Sequence, residues 1–149
     1  MTTRQRFLKL TYPILRRIGG LAGHGFSFAD ERATGKSLHH LSLRLADETV
    51  FNLQEAKGKK ILLVNTASDC GYTSQLAALE KFNQKYGDKV LLIGFPSNDF
   101  KEQERGTNAS IVDFCRNHFG VQFMLAEKAV VIKSPQQQPV YKWLTDQTQ

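Results

Sequence analysis

An α/β fold built on a parallel sheet is what the sequence predicts, and three observations carry the prediction. Two short unbroken apolar runs, Ile61-Leu62-Leu63-Val64 and Val90-Leu91-Leu92-Ile93, have the length and composition of buried parallel strands. Each is followed by a segment whose apolar residues recur at helical spacing. The links are short, and the order strand, helix, strand, helix implies parallel strands joined by crossovers.

The chain opens with residues 3–18, which have the pattern of a helix with one apolar side. Phe7, Leu8, Ile14, Leu15 and Ile18 share a face, with Lys9, Arg16 and Arg17 opposite. Pro13 predicts a kink or break there. Gly19, Gly20, Gly23 and Gly25 then loosen the chain. The boundary falls near residue 30, dividing a basic leader and glycine-rich linker (1–30) from the body (31–149). The leader suits a membrane-surface helix or a targeting peptide, and equally a helix packed on the body or on a partner. A secretory signal fits less well, since no compact apolar core or small-residue cleavage site is present.

The body begins with a hairpin: Leu41, Leu43 and Leu45 alternate, Ala46-Asp47-Glu48 turns, and Val50, Phe51 and Leu53 return. After the strand at 61–64 comes a loop holding Cys70. A helix follows from about Ser74 to Tyr86, with Leu76, Leu79, Phe82 and Tyr86 inward and Gly87 at its end. The strand at 90–93 leads through Pro96 into a long polar loop reaching Thr107. Asn108 is a candidate cap for a helix carrying Ile111, Phe114, Cys115 and His118 on one face, closed by Gly120. Residues 129–132 suggest another strand, and 139–144 a short helix. Gln136-Gln137-Gln138 is a loop.

The formal charge of +6 is concentrated in residues 1–29, which hold Arg4, Arg6, Lys9, Arg16 and Arg17 and no acid. With those five set aside, 15 Lys and Arg face 14 Asp and Glu. The body is near neutral and its cations are scattered among acids, which argues against a nucleic-acid groove. No apolar run approaches the roughly 18 residues a spanning helix needs. Cys70 and Cys115 form neither a disulfide framework nor a zinc pattern. Two thiols suit a reducing compartment, which points to the cytoplasm, with membrane contact through residues 3–18 as the reading open for the leader.

Cys70 directly follows a strand and precedes a helix. There its sulfur meets the positive end of the helix dipole and free backbone N–H groups, which stabilise a thiolate. The thiolate is the form that attacks a peroxide O–O bond, giving a sulfenic acid that a second thiol reduces. A neighbouring carboxylate, Asp69, opposes this. A lone cysteine is more often a small core hydrophobe. Here Gly71 and the small or polar Thr66, Ala67, Ser68, Asp69 and Thr73 surround it, unlike an apolar core face.

The segment Val64-Asn65-Thr66-Ala67-Ser68-Asp69-Cys70-Gly71-Tyr72-Thr73 resembles the peroxidatic segment of glutathione peroxidases, with Cys70 at the place of the reactive cysteine or selenocysteine. Gly94-Phe95-Pro96-Ser97-Asn98-Asp99-Phe100-Lys101-Glu102-Gln103-Glu104 resembles that family's second signature. Residues 114–121 and 139–144 match further motifs in order, so the likeness runs from about 41 to 145. It implies a thioredoxin-like fold, a central mixed sheet flanked by helices, and reduction of hydrogen peroxide or organic hydroperoxides as an antioxidant activity. Glutathione or a thioredoxin-like protein would serve as thiol co-substrate, with no metal, haem or flavin. It also assigns Gln103 as the residue that hydrogen-bonds the Cys70 sulfur. A side-chain amide donates without bringing negative charge, which suits that role. From the residues alone, Gln103 is a solvated loop position among Lys101, Glu102, Glu104 and Arg105.

Three departures accompany the likeness. Ser97 stands where many members have cysteine, and Asp99 where many have glutamine. The family's Trp-Asn-Phe segment, and the strands beyond it, are not found before Gln149, and Trp143 belongs to an earlier motif. The resemblance therefore implies a C-terminally incomplete domain with an uncovered sheet edge, either because the sequence is a fragment or because the product is a shortened protein with impaired activity. Cys115 is a candidate resolving thiol, because some thioredoxin-dependent members carry one in this helix region. Its place beside Ile111, Phe114 and His118 favours a core role. The adjacent His39 and His40 are surface or turn residues.

Three other readings stand beside this one. A thiol–disulfide oxidoreductase needs Cys-x-x-Cys, and Thr73 occupies the second place. The peroxiredoxin spacing is also off, with Thr66 four residues before the cysteine. From another class comes a catalytically weak thioredoxin-like binding module, tethered by its basic leader.

Overall fold

The computed structural model describes residues 37–147. The leader helix at 3–18, the linker and the boundary near 30 lie outside the described residues.

The hairpin pairs β1 (Ser42–Arg44) with β2 (Val50–Asn52) antiparallel, Leu43 opposite Phe51. Alternation buries Leu43 and leaves Ser42 and Arg44 in solvent. Asp47 closes the turn, accepting from Thr49 N at 3.1 Å and Thr49 Oγ1 at 2.6 Å. A separate three-stranded sheet runs in the order β3 (Lys60–Thr66), β4 (Val90–Pro96), β5 (Met124–Leu125), and all its pairs are parallel. The crossovers are α1 (Gln75–Tyr86) and α2 (Asn108–Phe119), and α3 (Pro139–Gln147) follows. One antiparallel bridge, Leu45 to Ala126, joins the hairpin to the end of β5 and supplies the mixed character.

The sheet lies between two apolar layers, and β4 feeds both. Leu92 packs with Leu76, Ile111, Cys115, Val121 and Phe123 beneath α1 and α2. Ile93 and Phe95, one register step away, pack with Leu43, Leu53, Ala126 and Val140. Such a two-sided strand must be apolar throughout, which is why 90–93 is an unbroken run. Each fully buried Leu, Ile or Phe contributes about 1.5–3 kcal/mol.

Several expectations are corrected. β3 is not buried like β4: among the described residues it pairs only with β4, its burial alternates, and Leu62 is 36% exposed. On α1, Tyr86 is 40% exposed, because it sits in the last turn, its ring tilted against Phe82 at a centroid distance of 4.9 Å. The inward residue there is Glu80, whose carboxylate accepts from Gln122 N at 2.7 Å and Gln84 Nε2 at 3.0 Å. The cap of α2 is Thr107, which accepts from Ser110 N, and Asn108 instead accepts from Lys128 N at 2.8 Å. Gly120 does close α2, at φ 65°, with Gly120 N donating to Arg116 O and Val121 N to Cys115 O. His118 is exposed and stacks on Phe114 at 4.8 Å. The strand after α2 is 124–125 rather than 129–132, where Asp99 Oδ2 takes the N–H groups of Val131 and Ile132. Those donors are thereby withdrawn from any ladder. Among the described residues no helix is long and apolar enough to cross a membrane.

Candidate active site

Because β3 and β4 are parallel and in register from Lys60–Val90 to Thr66–Pro96, the loops that follow them leave the sheet at the same end. This is the end where open α/β sheets build their sites. The first loop carries Cys70; the second runs from Ser97 to Thr107. Ser97 N donates to Thr66 O at 3.2 Å, so the two loops part immediately beyond that bond.

Cys70 is half-buried and its thiol is free. Its backbone is held by one side chain: Thr73 Oγ1 accepts from Cys70 N at 3.1 Å and donates to Cys70 O at 2.6 Å. Thr73 N also donates to Cys70 O, at 3.2 Å, which makes 70–73 a closed turn. The backbone N–H of Tyr72 faces the sulfur at 3.5 Å. The helix-dipole expectation is refined accordingly. α1 begins only at Gln75, after the turn at 71–74, so the donor at the sulfur belongs to the turn rather than to the first helical residue. Beside the sulfur lies a small open pocket lined by Val64, Thr66, Tyr72, Thr73 and Leu76.

The second loop grips the first. Gln103 O accepts from Asp69 N at 2.9 Å. Glu104, only 1% exposed, accepts from Ser68 N at 2.8 Å and Ser68 Oγ at 2.6 Å. Burial is the main cause that raises the Glu104 carboxyl above its ordinary value, and the Ser68 bonds work the other way. Asn98 Oδ1 accepts from Glu104 N at 3.0 Å. Lys101 and Glu102 stand at φ 56° and 52°, a left-handed pair that turns the chain immediately before these contacts.

The model of the glutathione peroxidase family matches residues 38–145, most of the chain and both loops. The chain belongs to the glutathione peroxidase family. It is 37% identical over 110 residues to the hydroperoxy fatty acid reductase gpx1 of Synechocystis sp., covering 73% of this chain and 64% of that one. It is 40% identical over 102 residues to the glutathione peroxidase-like peroxiredoxin gpx1 of Schizosaccharomyces pombe, covering 68% and 64%. The chain thus spans slightly under two thirds of the length of these curated relatives. Among solved structures it resembles apo Trgpx, with TM-score 0.56, 29% identity, and 76% and 66% of the two chains covered. It also resembles GPX1 of T. cruzi, with TM-score 0.54, 25% identity, and 74% and 66% covered. The expected thioredoxin-like α/β fold of glutathione peroxidases is the fold found.

Within this glutathione peroxidase domain, the structure brings Cys70 and Gln103 into adjoining loops. The bond that joins those loops at Gln103 uses its carbonyl; its side-chain amide makes no hydrogen bond to the Cys70 sulfur. Cys115 is buried on α2 among Leu76, Leu92, Ile111 and Phe123. Burial, with a smaller contribution from Glu104, pushes its thiol up to about 11. Ser97 is buried and accepts from Asp99 N at 3.3 Å, while Asp99 organises 131–132, so both departures serve loop structure. His39 Nδ1 lies 2.9 Å from Leu53 O and His40 is exposed. Sequence reasoning missed Thr73 and Glu104. Thr73 had a signal, a hydroxyl three residues after the backbone it caps. Glu104 had none, since a charged stretch from 101 to 105 resembles a solvated loop.

Proposed function

We propose that the protein reduces hydroperoxides with thiol equivalents through Cys70. The Cys70 thiolate attacks one peroxide oxygen, the O–O bond breaks, and the departing alkoxide or hydroxide takes a proton to leave as alcohol or water. Sulfur is oxidised to the sulfenic acid. A thiol then attacks that sulfur, water leaves, and a mixed disulfide forms; a second thiol restores Cys70.

The observation that carries this reading is the contrast between the two cysteines. Cys70 is accessible beside a small pocket with an N–H directed at its sulfur, whereas Cys115 is enclosed in the core. The same contrast supports an external reductant, glutathione or a thioredoxin-like protein, reaching Cys70 directly. In this reading the Gln103 amide turns toward the sulfur as negative charge develops; catalytic hydrogen bonds often tighten only when substrate is present. The membership of the family supports a hydroperoxide as substrate, and the name of the Synechocystis relative supports including fatty acid hydroperoxides.

The second reading, a thioredoxin-like binding module of weak catalytic power, is favoured by one observation, the absence of an amide–sulfur hydrogen bond at Gln103. Turnover separates the two. With hydrogen peroxide and glutathione, or with thioredoxin and its reductase, the first reading expects Cys70-dependent peroxide loss that Cys70→Ser abolishes. No turnover with either reductant, in a folded sample, would favour the module.

A further inference from the structure

Two features of the second loop are costly and unexplained by the roles assigned so far. A carboxylate is buried at Glu104, and two successive non-glycine residues, Lys101 and Glu102, adopt left-handed conformations. Burying an acid is unfavourable unless its oxygens are satisfied. A left-handed L-residue costs about 1–2 kcal/mol. Both costs lead to one place. The left-handed pair turns the chain so that the Gln103 carbonyl meets Asp69 N and the Glu104 carboxylate meets Ser68. Ser68 is two residues from Cys70.

We infer that Glu104 is a positioning residue for Cys70: its two carboxylate oxygens clamp Ser68 by both N–H and hydroxyl and so fix where the sulfur stands. The clamp is itself braced, because Asn98 Oδ1 holds Glu104 N at 3.0 Å across the loop. The charged or titratable groups acting on Glu104 come from three elements: Asp69 on the Cys70 loop, Lys128 beyond β5, and the Cys115 thiol on α2. Lys128 is tied to Gly106 O, so the carboxylate's hydrogen-bond partners are those of Ser68. A displacement of about 1 Å at a reacting group costs up to a hundredfold in rate, so a clamp this close has kinetic consequences.

The inference rests on the reading of Cys70 as the peroxidatic residue, and its test keeps the two separable. The full chain is compared with Glu104→Ala, Glu104→Gln, Ser68→Ala and Glu80→Ala. Glu80 is the control: a second buried carboxylate, bonded to Gln122 N and away from the Cys70 loop. The readouts are the rate of Cys70 oxidation by hydrogen peroxide, the pH profile of its alkylation by iodoacetamide, and the urea midpoint. Glu104→Ala is expected to slow oxidation by about tenfold to a hundredfold. Glu104→Gln can still accept from Ser68 N and donate to Ser68 Oγ, and is expected to keep the wild-type rate within about threefold. Ser68→Ala, which keeps half of the clamp, should fall between, and it serves alone if Glu104→Ala does not fold. Glu80→Ala should lower the urea midpoint while leaving the Cys70 rate unchanged. Glutamine as slow as alanine, Glu80→Ala as slow as Glu104→Ala, or a Ser68→Ala rate equal to wild type would each overturn the inference. If the unmutated chain oxidises no faster than free cysteine, the peroxidase reading fails. The alkylation profile then still decides on the clamp: a change in Glu104→Ala that is absent from Glu104→Gln and Glu80→Ala supports it, and identical profiles overturn it.

Discussion

Replacing Thr73 by valine removes one hydroxyl at nearly constant shape, and the structure says what that hydroxyl does. It accepts from Cys70 N at 3.1 Å and donates to Cys70 O at 2.6 Å. The carbonyl retains a second donor, Thr73 N at 3.2 Å, so its loss is partial. The Cys70 N–H has no such reserve in the protein, and leaving this part-buried donor without its partner costs up to about 1–3 kcal/mol. With a urea m-value of about 1–3 kcal/mol/M, the unfolding midpoint falls by roughly 1 M. The closed turn at 70–73 loosens with it, carrying the Tyr72 N–H away from the sulfur, and oxidation of Cys70 by peroxide slows by about tenfold. Thr73→Ser keeps the hydroxyl and loses only a methyl group. It is expected to react like the unmutated chain, with a stability loss of about 0.5–1.5 kcal/mol. Urea unfolding followed by Trp143 fluorescence and stopped-flow peroxide consumption measure both effects. The reasoning is refuted if valine leaves midpoint and rate unchanged, or if serine is as slow as valine.

Other predictions follow from the same structure. A Cβ at Gly94 would stand 2.8 Å from Leu125 Cδ2 and 3.2 Å from Phe123 Cε2, so Gly94→Ala should destabilise by about 1–3 kcal/mol through overpacking; an unchanged urea midpoint would contradict this. Burial raises the Cys115 thiol from 9.0 to about 11 and the Tyr141 hydroxyl from 10.0 to about 12. The fold favours both neutral forms, so their contribution is complete below pH 9 and is lost between pH 9 and about 12 as the unfolded chain ionises first. Cys115→Ala should flatten the earlier part of that decline, and at neutral pH iodoacetamide should label Cys70 while Cys115 reacts only after unfolding. The acid-free leader should bind anionic vesicles weakly and salt-sensitively, through Arg4, Arg6, Lys9, Arg16 and Arg17. Equal binding by a chain lacking residues 1–25 would remove that reading.

The parts of the fold legible in the sequence are those whose cause is local. The hairpin at 41–53 shows its alternation, Gly120 marks the end of α2, and Pro139 opens α3. β4 was legible because burial on both faces requires an unbroken apolar run. β3 has the same run, but its exposure at Leu62 depends on how many neighbours pair with it, which is a tertiary fact. β5 is two residues long and exists through its pairing with Ile93 and Gly94 rather than through its own pattern. Within the site, Cys70 was legible from its place between strand and helix, and Gln103 from the family motif. Glu104 and Glu80 were not, because their partners, Ser68 and Gln122, lie 36 and 42 residues away. A carboxylate that is buried only after the chain closes is indistinguishable beforehand from one on the surface.

The central claim is that Cys70 is the group that takes oxygen from a peroxide. Mixing the reduced chain with hydrogen peroxide at neutral pH, and trapping sulfenic acid at each cysteine over time, tests it directly. The account predicts trapping at Cys70 far faster than at free cysteine, with Cys115 unmodified. Oxidation at Cys70 no faster than free cysteine, or faster at Cys115, would contradict it.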